Sequence, residues 1–268
     1  MQTPEIPGFT PVGLGPGIFA GFTASAGGVS EQPWHSLNLG PNVNDNPAHV
    51  HENRKIVAET FGTPIAFAEQ VHGNDILVID DDIAATYLNN ANPPIAAGKV
   101  DGMVTPTGLG LGVLVADCVP ILLASQNAVA VAHAGRRGIE LGVINEAITK
   151  IREITAQNGG DPTNIEQPEI TAAIGPAICG NCYEVPIEMQ KEVCAHNPKA
   201  KATTSWGTPG LDLPAAAQAQ LEAAGVKVVY RSPICTFEDE RYFSHRRATA
   251  NGTTTGRQAG IIARRISD

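Results

Sequence analysis

Residues 112–135 read GVLVADCVPILLASQNAVAVAHAG, the strongest structural signal in the chain. Three apolar runs, Gly112 to Ala116, Ile121 to Leu123 and Ala128 to Ala132, are punctuated by short polar or turn-forming segments, the pattern of successive strands. Between the first two stands Asp117-Cys118-Val119-Pro120. A polar Asp-Cys pair inside such a run is costly unless it is used or satisfied.

Working outward, further β-rich runs lie at Ile65 to Val71, Ile76 to Ile79, Ile170 to Ile174, Val226 to Tyr230 and Ile261 to Ile262, each bounded by Gly, Pro, Asn or Asp. Helical periodicity is clearest from Gly138 to Gln157. There Leu141, Ile144, Ile148, Ile151 and Ile154 recur at three- or four-residue spacing, which predicts a surface helix over a core. Pro47 to Phe61, Pro186 to Ala195 and Pro214 to Ala224 are also read as helices, the last ending at Gly225. Polar segments at Asp80 to Gly98, Asn158 to Glu169 and His196 to Gly210 read as loops. Strands in groups with interspersed helices predict an α+β protein, a single mixed-sheet domain with flanking helices over residues 1–268.

The chain has 268 residues, is 43% apolar and carries a formal net charge of −9. An acidic field with scattered basic residues argues against a nucleic-acid polymer as partner. The most apolar region, Leu109 to Leu123, is broken by Asp117 and Pro120, so no membrane span is expected. The first residues lack a basic and apolar leader, and five cysteines are an odd number, so a cytoplasmic protein with reduced thiols is expected, monomeric or weakly dimeric.

Of seven histidines, two end strand signals: His72 in Gln70-Val71-His72-Gly73, and His133 in Val131-Ala132-His133-Ala134-Gly135. Two imidazoles and a thiolate from Cys118 are a donor set that suits zinc, and three protein ligands with an open fourth position is the pattern of catalytic sites. The spacings match no short metal motif. On chemistry alone two readings stay open: a metal site, or an inert buried cysteine with two unrelated hydrogen-bonded histidines.

A series of strings occurs in order: Phe22-Thr23-x-x-x-Gly27-Gly28-Val29-Ser30, Ser36-Leu37-Asn38-Leu39-Gly40, Gln70-Val71-His72-Gly73, Asp101-Gly102, Ala116-Asp117-Cys118-x-Pro120, Val131-Ala132-His133-Ala134-Gly135-x-Arg137-Gly138, Ile174-Gly175-Pro176-x-Ile178-x-x-x-Cys182-Tyr183-Glu184-Val185 and Phe243-Ser244-His245-Arg246-Arg247. Over roughly residues 18–265 the chain thereby resembles the bacterial YfiH family. This family is also called the laccase-domain or multicopper polyphenol oxidase family, and its members are now mostly described as purine nucleoside phosphorylases. The resemblance implies zinc held by His72, Cys118 and His133, with copper as a substitute. It implies phosphorolysis of adenosine, inosine or guanosine, cleavage of methylthioadenosine, and adenosine deamination as a side activity. Two positions depart from the family pattern: Ser25 stands where arginine is usual, and Arg136 where tryptophan is usual.

Around this trio, Asp117 and Arg137 are the expected catalytic residues, and Ser36, Asn38, Gln70 and Arg246 the expected substrate-binding ones. Arg247 and Arg257 are further candidates for phosphate. Cys179-Gly180-Asn181-Cys182 has the spacing of a redox pair or half a zinc site, but no second such motif accompanies it, so structural thiols are expected. Three rival functions remain. A multicopper oxidase needs about ten histidines, more than the chain has; a single copper in the trio leaves weak phenol oxidation open. An amidase acting on peptidoglycan precursors would also use zinc-activated water. A non-catalytic zinc protein would need a fourth ligand, such as Cys182 or His245.

Overall fold

The computed structural model describes residues 6–90, 93–157 and 169–265. In chain order its elements are β1 (Thr10–Val12), β2 (Ile18–Phe22), α1 (Pro47–Phe61), β3 (Ile65–Phe67), β4 (Ile76–Val78), α2 (Asp81–Leu88), β5 (Gly102–Thr105), β6 (Gly110–Val115), β7 (Val119–Ala124), β8 (Val129–Ala134), α3 (Arg136–Leu141), α4 (Val143–Gln157), β9 (Thr171–Ile174), α5 (Ile187–His196), β10 (Lys201–Thr203), β11 (Pro209–Leu211), α6 (Leu213–Ala223), β12 (Lys227–Arg231), α7 (His245–Ala250) and β13 (Gln258–Arg264). A six-stranded mixed sheet has the order β12-β9-β7-β8-β5-β4, and a five-stranded mixed sheet the order β1-β2-β13-β6-β3. The mixed-sheet architecture with flanking helices is thus present, its strands shared between two main sheets and the small β10-β11 hairpin.

Alternation along the central strands explains the layering. Ile121 and Leu123 of β7 and Ala130, Ala132 and Ala134 of β8 point into a core shared with Ile144, Ile148 and Ile151 of α4 and Leu221 of α6. Their neighbours Leu122, Val129 and Val131 point the other way, into a core shared with Phe22, Leu111 and Ile262 of the five-stranded sheet. The outer face of that second sheet, including Phe67 and Ile261, is covered by Val57 and Phe61 of α1. Four layers result, helix, sheet, sheet, helix, and β7 and β8 are buried on both faces. This double burial is why the chain reads as nearly continuous apolar runs there.

The structure corrects several local expectations. The helix expected from Gly138 to Gln157 is two helices, because Gly142 adopts a left-handed φ of 84° and caps α3. Leu141, assigned to the buried stripe, is consequently exposed. The segment Asp80 to Gly98, read as a loop, contains α2, capped by the Asp80 carboxylate accepting from Ile83 N at 2.9 Å and burying Ala84 and Tyr87. His196 to Gly210 contains the strand β10 and the first residues of β11. Residues 158–168 of the loop expected from Asn158 to Glu169 lie outside the described residues. Among the described residues no helix is long and apolar enough to cross a membrane.

Asn38 shows how polar residues hold these layers together. Its fully buried amide accepts from Gly40 N (3.0 Å) and Arg257 N (2.9 Å) and donates to Gly40 O and Asp45 Oδ2. Asn38→Ala strands two buried amides, and a loss of about 2–4 kcal/mol is expected in urea denaturation. Should Asn38 bind substrate instead, substrate affinity would fall with little change in stability.

Candidate active site

Antiparallel pairing of β7 with β8 sets Pro120 opposite His133, so Cys118, just before β7, lies beside the end of β8. His72 reaches the same point from the turn after β3. One ligand-type atom from each of His72, Cys118 and His133 lies within 4.8 Å of the other two. The two imidazoles meet edge to face, with ring centroids 4.8 Å apart. His133 is buried, Cys118 half-buried and His72 exposed, so the cluster is open on one side. Gly135 closes the other: a Cβ there would sit 3.1 Å from both Cys118 Sγ and His72 Cδ2.

Asp101 organises the cluster, and no role was assigned to it from the sequence. Its carboxylate, fully buried, accepts from the successive backbone amides of Val71 (3.1 Å), His72 (2.9 Å) and Gly73 (2.7 Å) and pairs with His133 Nδ1 at 2.8 Å. The first three bonds hold His72 in a left-handed conformation, φ 59°, that costs a non-glycine residue about 1–2 kcal/mol. The fourth occupies Nδ1 of His133 and leaves Nε2 for a ligand. The visible signal was an acid at the mouth of a strand, Asp101-Gly102.

Burial alone would raise the Cys118 thiol, but the imidazoles of His133 and His72 overrule it and bring its pKa down to about 6. For His133, burial works downward and is outweighed by Cys118 and Asp101, which lift it to about 9. Burial likewise works against the Asp101 carboxylate, yet His133 and the amides of Gly73 and Val71 hold it below the usual range. The donor set, two imidazoles and a thiolate-prone cysteine with one imidazole oriented by a carboxylate, fits a borderline-soft divalent cation.

Two clefts meet at this cluster. One, of about 450 Å³, is lined largely by apolar groups, among them Val43, Ala68, Ile95 and Leu114. The other, of about 610 Å³, is lined by Arg136, Arg137, Arg246, Asp117 and Tyr183. His72, Cys118 and His245 border both. Arg246 lies over the Tyr183 ring at 5.1 Å and donates to Glu184 O.

The other residues expected at the site take varied places. Both Asp117 oxygens are engaged, accepting from Thr236 Oγ1 and from Arg246 N at the start of α7, each at 2.7 Å. Arg137 is exposed at the mouth of the arginine-lined cleft. Gln70 borders the apolar cleft, while its amide clasps Leu114 N and O. Ser36 and Asn38 line neither cleft; Ser36 Oγ accepts from Gly28 N and donates to Ser25 O. Arg247 donates to the carbonyls of Thr236, Phe237 and Tyr242; Arg257 donates to those of Thr255 and Gly256 while bordering the otherwise largely apolar cleft. Arg136 pairs with Glu140 one turn along α3 while facing the cleft. Cys182, one fourth ligand expected for a closed structural site, belongs to a different cluster.

The protein named purine nucleoside phosphorylase SCO2081 from Streptomyces coelicolor is 44% identical over 252 residues, spanning 92% of this chain and 95% of that protein. Escherichia coli YfiH, also named a purine nucleoside phosphorylase, is 34% identical over 92% of this chain and 93% of its own length. The crystal structure of YlmD from Geobacillus stearothermophilus superposes with a TM-score of 0.81 at 33% identity, covering 98% of each chain. Residues 19–265 match the family model described as multi-copper polyphenol oxidoreductase laccase, and the chain belongs to that family, together with the YfiH proteins.

Proposed function

We propose that this protein is a cytoplasmic, zinc-dependent purine nucleoside phosphorylase acting on adenosine, inosine, guanosine or methylthioadenosine, with adenosine deamination as a side activity. One observation carries the reading: the open His72–Cys118–His133 cluster stands where an apolar cleft suited to a purine meets an arginine-lined cleft suited to phosphate. The names of the relatives support the same class. Zinc, held by His72, Cys118 and His133, would supply Lewis acidity at that junction.

The chain's own residues do the rest. The base lies against the apolar side chains of Val43, Ile95 and Leu114. Arg137 and Arg246 hold phosphate on the opposite side, so that one of its oxygens bonds to C1′ of the ribose as the C1′–N9 bond breaks and its electron pair leaves with the purine. Asp101 keeps His133 in one tautomer and His72 in one backbone conformation throughout. Asp117, with both oxygens committed to Thr236 and α7, is a positioning residue that fixes Arg246. Arg136 adds a third guanidinium to the cleft, beside Arg137 and Arg246, where the family usually has tryptophan. Deamination needs water at the amino-bearing carbon of the purine in place of phosphate at C1′, and the open side of the cluster admits it.

The test is a chromatographic assay of zinc-loaded protein with each nucleoside, with and without phosphate. Phosphate-dependent release of the free base that disappears in His72→Asn is the expected result. Turnover of peptidoglycan precursors or of phenols with copper, and none of nucleosides, would overturn the reading. Arg137→Ala and Arg246→Ala should each raise the KM for phosphate about tenfold or more, the loss of one charge-assisted contact, and leave the nucleoside KM within about twofold. Equal effects on both constants would remove the phosphate assignment.

A further inference from the structure

The isolated Cys179-x-x-Cys182 motif has a partner that sequence spacing conceals. Cys235 and Glu238, also three residues apart, lie across from it. One ligand-type atom from each of Cys179, Cys182, Cys235 and Glu238 falls within 4.8 Å of the others. The two segments are built alike. In one, Cys182 N and Tyr183 N both donate to Cys179 O (3.0 and 2.9 Å); in the other, Glu238 N and Asp239 N both donate to Cys235 O (3.2 and 3.0 Å). Each turn therefore presents its first and fourth side chains on one side, as a chelating turn requires.

A single parallel bridge between Ala177 and Cys235, with Thr236 N donating to Ala177 O at 3.1 Å, fixes the two turns face to face. Cys179 N donates to Cys235 Sγ at 3.4 Å, the amide-to-sulfur bond that stabilises a thiolate. Zinc with Zn–S bonds of about 2.3 Å needs ligand separations of about 3.8 Å, a contraction of about 1 Å or less from the separations present. The guanidinium of Arg247, donating to Thr236 O and Phe237 O within the second turn, offsets part of the thiolate charge. A cleft of about 330 Å³ bordered by Cys179, Asp212 and Ile234 gives the ion a route in.

We propose that Cys179, Cys182 and Cys235, with exposed Glu238 as fourth ligand, form a second metal site, a structural zinc centre distinct from the His72–Cys118–His133 cluster. Binding releases the three thiol protons to solvent and changes no oxidation state. Its position gives it a purpose. Ile178 N, next to Cys179, donates to Asp117 O, and Thr236, next to Cys235, donates to the Asp117 carboxylate. Tyr183, next to Cys182, supports Arg246. The ion would staple the second turn to the first, whose flanking residues Ile178 and Tyr183 line the arginine-lined cleft.

The experiment counts zinc by elemental analysis on full-length protein purified under reducing conditions and dialysed against Zn²⁺. Wild type should hold two ions per chain, the double variant His72→Asn/Cys118→Ser one, and Cys179→Ser/Cys235→Ser one. Should the last variant fail to fold, the first carries the test by itself. Loaded with Co²⁺, it should show tetrahedral visible bands and an intense sulfur-to-cobalt band in the near ultraviolet, and a chelator should expose three more thiols to a thiol reagent. One ion in wild type and none in His72→Asn/Cys118→Ser would overturn the proposal. So would an intact mass two hydrogens lighter under non-reducing conditions with zinc present, which marks a disulfide in place of the ion.

Discussion

His72→Asn is expected to lower kcat/KM for nucleoside phosphorolysis by about 10²–10³-fold or more, the equivalent of several kcal/mol of metal-derived transition-state stabilisation. Asparagine is the informative replacement because it tolerates the left-handed backbone at φ 59° that alanine would strain. The imidazole is exposed, so its removal should shift Tm by only about 2 °C. Metal analysis should show this site empty. Unchanged turnover with the metal lost would detach the chemistry from the cluster altogether.

Asp101→Ala should do more damage by a different route. The carboxylate is fully buried and serves four groups: three consecutive amides and the ring of buried His133. Its removal leaves those donors without an acceptor and frees the turn that carries His72, a loss of about 3–5 kcal/mol in stability. The milder Asp101→Asn keeps one acceptor oxygen but cannot serve all four donors, and metal affinity should fall about 10–100-fold, as when other partners of metal-bound histidines are replaced. Calorimetry and competitive zinc titration measure the two effects separately. Full metal affinity and unchanged Tm in Asp101→Ala would contradict the geometry.

Legibility in the sequence followed the physics of each residue. The strands β6, β7 and β8 could be read because burial on both faces leaves little but Val, Leu, Ile and Ala in them. The metal-type residues could be named because imidazole and thiol chemistry is restrictive and the family strings surround all three. The short strands β1, β2 and β5 went unread, since three to five residues carry too little periodicity to distinguish them from extended loop. Asp80 did mark the start of α2, but the polar residues around it masked an eight-residue helix. At the site, Ser36 and Asn38 were nominated for their hydrogen-bonding capacity, which the scaffold consumes. Asp101 escaped because its value lies in the backbone of a turn about thirty residues earlier, a relation that composition does not encode. Cys235 and Glu238 escaped for the same reason: only folding sets their turn against Cys179 and Cys182.

The place of β13 has a bearing on how the protein is made. It lies in the middle of the five-stranded sheet, with β2 and β6 on either side, although residues 258–264 are synthesised long after both. On the ribosome, then, Ile18–Phe22 and Gly110–Val115 wait as unjoined strands with open edges while most of the chain is added. The six-stranded sheet needs nothing beyond β12 and is complete earlier. Nascent-chain proteolysis should accordingly show protection of β7 and β8 before β2, and a folding time set by one late, long-range insertion.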